Sequence, residues 1–74
     1  MTAKEMFEEL GYEENPNRED QIRYTMRNEV GIIVEIAFDF YKKYFIKQDD
    51  NDLAYYILFD EFKAIQKQIE ELGW

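Results

Sequence analysis

The sequence predicts a two-layer α+β domain: a four-stranded antiparallel meander flanked by an N-terminal and a C-terminal helix, in the order α-β-β-β-β-α. Three observations carry this. Apolar residues recur every three to four positions at both ends of the chain, the helical period. Between those ends apolar and polar residues alternate, the strand period. Short polar segments with turn residues separate the alternating runs, and strands joined so briefly pair antiparallel. Two amphipathic helices then bury their stripes on one face of the sheet.

The first helix carries Ala3, Met6, Phe7 and Leu10 as one stripe. Thr2 with Glu5 three residues on fits a capping box, and Met1 is placed to reach Met6 as a hydrophobic staple. Gly11 supplies a left-handed stop, with Tyr12 set to pack back on Phe7. Glu13 to Asp20 is polar, contains Asn15-Pro16-Asn17 and reads as a loop. Ile22, Tyr24 and Met26 alternate with Arg23, Thr25 and Arg27 as a half-buried strand, and Asn28 to Gly31 is a hairpin turn. Ile32, Val34, Ile36 and Phe38 make the strongest strand, with Ile33, Glu35, Ala37 and Asp39 on its other face. A third strand is expected near Tyr41 to Lys47, a turn at Asp49-Asp50-Asn51-Asp52, and a fourth strand over about Leu53 to Leu58. The last helix has Asp60 as candidate N-cap, a stripe of Phe62, Ile65, Ile69 and Leu72, and Gly73 as stop, with Trp74 folding back on Ile69. Phe7-Glu8-Glu9-Leu10-Gly11-Tyr12 and Ile69-Glu70-Glu71-Leu72-Gly73-Trp74 echo each other as repeated cap chemistry.

Seventy-four residues make one domain, 1–74, and a chain this short buries only about 60% of its unfolded surface. There is no Cys to add a disulfide, so the core rests on apolar content, 46% of the chain, with thirteen large aromatic rings among it. Not all fit inside, which leaves some rings exposed and makes either a monomer or a homodimer reasonable. Zero His and zero Cys remove most zinc sites, Ser–His and Cys nucleophiles and thiol redox chemistry. No apolar run approaches the roughly 20 residues of a membrane span, and the N-terminus lacks a signal-peptide pattern. These features point to a cytoplasmic protein that does not engage a membrane.

Charge is sorted along the chain. Residues 1 to 21 sum to −5, residues 22 to 48 to +2 and residues 49 to 74 to −5, for a net −8. Net acidity opposes direct binding to a phosphate backbone and favours a basic protein surface as partner.

Met1-Thr2-Ala3-Lys4-Glu5-Met6-Phe7-Glu8-Glu9-Leu10-Gly11-Tyr12 resembles the opening of many small proteins from phages and prophages of Gram-positive bacteria. Ala64-Ile65-Gln66-Lys67-Gln68-Ile69-Glu70-Glu71-Leu72-Gly73-Trp74 resembles their close. The likeness covers about a third of the chain and brings no catalytic residues with it. It implies a phage accessory protein in the cytoplasm of a bacterial host, a setting that includes inhibitors of host defence and anti-CRISPR proteins among them.

Four clusters are candidates for function. Glu8, Glu9, Glu70 and Glu71 all sit in the last turn of a helix, where the dipole makes each cost about 0.3–1 kcal/mol relative to a cation. With Trp74 they form the candidate partner-binding set, an acidic patch for a basic groove; the simpler reading is that Glu favours helix and solubility. Asp49 to Asp52 offers oxygen ligands but lacks the spacing, central Gly and distant Glu of a calcium loop, so it reads as a turn. Arg23, Arg27, Lys43 and Lys47, interleaved with Tyr41, Tyr44 and Phe45, either form a solvated sheet face or a platform on which single-stranded bases stack. Tyr55-Tyr56 and Phe40-Tyr41 are core or edge residues, or an interface hot spot.

No carboxylate pair is singled out as an acid–base couple, so no catalytic, cofactor or metal residues are assigned, and the chain is expected not to be an enzyme. The leading expectation is a non-enzymatic phage protein that binds and blocks a host protein through its acidic surface, with a CRISPR effector among the candidates. The alternatives are a small single-strand-binding accessory protein and a self-assembling structural phage component.

Overall fold

The computed structural model describes residues 1–16 and 19–74. Helix α1 (Ala3–Glu9) is followed by strands β1 (Glu13–Asn15), β2 (Gln21–Arg27), β3 (Ile33–Asp39) and β4 (Tyr44–Asp49), then by helix α2 (Phe59–Leu72). The strands form one antiparallel sheet in the order β1-β2-β3-β4. The α+β meander between two helices is therefore the observed architecture. Among the described residues no helix is long and apolar enough to cross a membrane.

The order is as expected, but the membership of the sheet differs. Glu13–Asn15, read as loop, is a strand paired with Thr25, Tyr24 and Arg23. Its composition hid it: β1 is a short, charged edge strand, the kind that discourages further pairing. Asn17 and Arg18, in the expected loop, lie outside the described residues. Among the described residues the expected fourth strand, Leu53 to Leu58, makes only a single bridge, Ala54 to Gln48. The expected third strand starts later and runs further, because Phe40 to Lys43 is spent on a turn. There Asp39 Oδ1 accepts the N–H groups of Tyr41 and Lys42, and Lys43 takes φ 54°.

Both helix stops work through the same device. Gly11 (φ 94°) and Gly73 (φ 74°) adopt the left-handed conformation that side chains resist. Tyr12 N–H reaches Phe7 O at 3.0 Å and Trp74 N–H reaches Ile69 O at 3.2 Å, the long bond of a Schellman motif. Each turn throws an aromatic ring back on the core: Tyr12 meets Phe7 edge-on at 5.7 Å, and Trp74 lies 6.4 Å from Phe38. At the start of α1, Thr2 and Glu5 form the expected capping box.

The core is largely aromatic. Phe7 stacks on Tyr24 at 4.1 Å and meets Phe38 edge-on, while Ile36, Ala64 and Ile65 fill the remaining space. Offset and edge-on pairs each add about 0.5–1.5 kcal/mol beyond the area they bury. Register decides which β4 residues join this face. Phe45 lies opposite Phe38, Lys47 opposite Ile36 and Asp49 opposite Val34. Cross-strand partners share a face, so Lys47 and Asp49 point toward the helix layer.

Helix α2 keeps Ile65, Ile69 and Leu72 of the expected stripe on the core but not Phe62. Its buried residues are Glu61, Ala64, Ile65 and Gln68, whereas Phe62 is 42% exposed. The polar members are tolerated because each finds a partner. Gln68 Oε1 accepts the Tyr24 hydroxyl at 2.6 Å, and Glu61 holds Tyr12 and Lys47. The N-cap position falls on Leu58, not Asp60, and the Leu58 N–H is taken at 2.9 Å by Glu61, three residues into the helix.

Candidate partner interface

The segment between β4 and α2 leaves its apolar side chains in solvent. Leu53 is 62% exposed, Tyr56 75%, Leu58 53% and Phe59 70%, with Ile57 and Phe62 less so. Large exposed apolar patches rimmed by polar residues mark contact surfaces. Acids bracket it: Asp50 and Asp52 come before it and Asp60 after, all exposed. At its far end an open groove of 520 Å3 is lined by Leu10, Met26, Leu58, Phe59, Asp60 and Glu61.

The ribbon is held in place by polar groups beneath it. Asp49 is buried, and its Oδ1 accepts Asn51 N–H and Leu53 N–H at 2.9 Å each, with Asp52 at φ 61° completing the turn. The Asp49–Asp52 cluster is therefore an Asx-type turn whose buried carboxylate is occupied by backbone. Among the described residues no group of three or more carboxylates is disposed to hold a metal ion. Tyr55 N–H bonds Lys47 O at 3.0 Å. Lys47 Nζ lies 2.7 Å from Glu61 Oε1, with the Tyr55 and Tyr56 rings 5.9 and 5.4 Å from the ammonium. Glu61 Oε2 takes the Tyr12 hydroxyl at 2.6 Å. One carboxylate thus joins α1's trailing residue, β4 and the start of α2.

Burial pushes Glu61 up, but hydrogen bonds from Lys47, Tyr12 and the Leu58 N–H outweigh it and hold the carboxyl below its ordinary value. Burial raises the Tyr12 hydroxyl well above the usual phenol range, and its bond to Glu61 raises it further. Burial also raises Tyr24, with smaller contributions from the nearby charges of Glu14, Glu71 and Glu8.

The expected acidic patch is split. Ala3 N–H at the start of α1 meets Glu71 near the end of α2, while Leu10 shares its groove with Phe59 and Asp60. The helices therefore run antiparallel, which puts Glu8 and Glu9 toward one end of the layer and Glu70 and Glu71 toward the other. Glu71 Oε2 accepts Ala3 N–H at 2.8 Å, so it caps α1 and satisfies the positive end of that dipole. Glu70 lies 3.7 Å from Lys67, and Glu8 and Glu9 are exposed. Trp74 is half-buried against Phe38 and lines a shallow groove with Phe62, Ile69 and Glu70.

The basic centre is also dispersed. Lys47 lies on the inner face, paired with Glu61. Arg23 is on the outer face and pairs with Glu35 at 3.2 Å, while its Nε is buried and has no hydrogen-bond partner among the described residues. Arg27 bonds Gly31 O, and Lys43 and Tyr41 are exposed in the β3–β4 turn. Among the described residues no continuous row of cations and rings spans the outer face, whose exposed apolar residues are Ile33, Tyr44 and Ile46.

The ribbon was legible as composition, in the run Leu53-Ala54-Tyr55-Tyr56-Ile57-Leu58-Phe59. The sequence suggested a strand because such residues favour strands. The chain matches no protein-family model, no curated protein and no solved structure.

Proposed function

We propose that this chain is a non-enzymatic protein that binds a host protein with a basic surface and blocks it by occupying that surface. The observation that carries this reading is the uncovered apolar ribbon from Leu53 to Phe59, flanked by Asp50, Asp52 and Asp60. Buried apolar and aromatic anchors supply most interface energy, while surrounding charge sets association rate and partner choice. The ribbon is the contact and the acidic surface, including Glu8, Glu9 and Glu70, is the long-range attraction. A net charge of −8 suits a cationic target. The likeness of the chain ends to small phage proteins supports a phage accessory role in a bacterial cytoplasm. An inhibitor of host defence, acting on a CRISPR effector or a comparable nucleic-acid-binding protein, is its sharpest form.

The test is affinity capture from a Gram-positive host lysate with the wild type and a Leu53→Ser, Tyr56→Ser, Phe59→Ser variant. A cationic protein held by the wild type and lost by the folded variant supports the reading. Identical captured proteins for both, or none for either, overturn it. The variant Glu8→Gln, Glu9→Gln, Glu70→Gln, Glu71→Gln slows association and weakens its salt dependence if the acids steer.

A further inference from the structure

We propose that the outer edge of residues 54–56 accepts an extended segment of the cationic partner, which adds to the sheet beyond β4. This rests on the reading of the chain as a protein binder. Ala54 faces Gln48 in a bridge flanked by two hydrogen bonds of 3.0 Å, Tyr55 N–H to Lys47 O and Asp49 N–H to Leu53 O. Backbone groups alternate in direction along an antiparallel strand. With Leu53 and Tyr55 bonded toward β4, the N–H and C=O of Ala54 are aimed away from it. Among the described residues neither Ala54 nor Tyr56 makes a backbone hydrogen bond.

Such an edge is a template for another strand. Main-chain bonds supply affinity, and neighbouring side chains supply selectivity. The side chains suit this use, since Leu53 and Tyr56 stand exposed beside the edge and the groove lined by Leu10, Met26, Leu58 and Phe59 receives an apolar side chain at its end. Charge selects the occupant. Acids stand at both ends of the ribbon; the cation beneath it, Lys47, is buried and neutralised by Glu61, and one exposed cation, Lys63, lies over the Phe59 ring at 4.8 Å. An incoming strand with Lys or Arg at its ends is attracted. A second copy of this chain brings the same acids and the same −8 against them, so self-pairing is opposed.

The probe is a capped peptide, Lys-Val-Thr-Val-Thr-Val-Lys, titrated into the full chain and followed by amide NMR. It is compared with the same peptide N-methylated at every central amide, and with the Ala54→Pro protein. Ala54→Pro removes an outward donor without deleting any internal hydrogen bond. The expected result is saturable shifts centred on Ala54 and Tyr56, and binding weaker by about tenfold or more for the methylated peptide and for Ala54→Pro. Equal binding by the methylated peptide, shifts centred elsewhere, or no binding overturns strand addition. Should Ala54→Pro not fold, the methylated peptide decides the question on the wild type. If strand addition fails while the Ser variant still loses its captured host protein, the binding reading stands and only the mode is wrong.

Discussion

Lys47→Met tests the network that fixes the ribbon. The side chains of Lys47 and Glu61 are 6% and 5% exposed and lie 2.7 Å apart. Removing the ammonium leaves Glu61 with Tyr12 and the Leu58 N–H, but as a buried charge with no counter-charge. Breaking a buried pair from one side costs about 3–5 kcal/mol. In a domain of this size each kcal/mol moves the melting temperature by about 4–8 °C, so a drop of at least about 12 °C is expected at pH 7. The pH dependence has a definite sign. In the wild type the folded Glu61 carboxyl is depressed, so its contribution is present above the ordinary carboxylate value and is lost as pH falls through the folded one. In Lys47→Met the strongest hydrogen bond opposing burial is gone, so the carboxyl rises and takes up a proton that the wild type refuses. The penalty is therefore full at pH 7 and shrinks toward pH 4. Thermal unfolding followed by circular dichroism at pH 7, 5.5 and 4 measures it. A penalty under about 1 kcal/mol at pH 7, well below the range for a broken buried pair, refutes the reasoning. So does a penalty that does not change with pH.

Three further outcomes follow from the same geometry. Tyr12 and Tyr24, with folded values raised above the unfolded phenol, stabilise the fold below about pH 10 and cease to do so as pH rises beyond it. Ultraviolet titration should show them ionising only as the chain unfolds, and titration of all six tyrosines in the folded protein contradicts this. Tyr12→Phe should cost more than Tyr24→Phe by equilibrium denaturation. The first strips a hydrogen bond from a buried carboxylate, worth about 1.5–3 kcal/mol; the second strips one from the neutral amide of Gln68, worth about 0.5–1.5. Gly11→Ala at φ 94° should cost about 1–2 kcal/mol from backbone strain alone, because nothing lies within 4 Å of an added Cβ; a neutral change refutes the strain argument.

The periodic parts of the chain were readable without coordinates. Thr2 and Glu5, the two Gly stops and the alternation through β2 and β3 are local signals, and local chemistry decides them. β1 was not readable, since Glu13–Asn15 becomes a strand only because the Gly11 turn returns the chain beside β2. Leu53 to Leu58 has strand composition yet pairs at a single residue, because the Asx-type turn at Asp49 and the early capture of Leu58 N–H by Glu61 bound the segment on both sides. Lys47 looked like an outward cation, because its register depends on where the β3–β4 turn ends. Glu71 looked like a free acid, because its partner is 68 positions away at Ala3. In each case a residue's role depends on a contact distant in sequence, which periodicity does not encode.

On the function proposed above, the acid-flanked ribbon is where a cationic partner binds. Hydrogen–deuterium exchange on the full chain, alone and with the captured host protein, tests it most directly. New protection is expected in residues 53–59, with β2 and β3 unchanged. Protection confined to the outer sheet face or to the helix ends around Glu8, Glu9, Glu70 and Glu71, with 53–59 exchanging as in the free chain, would contradict it.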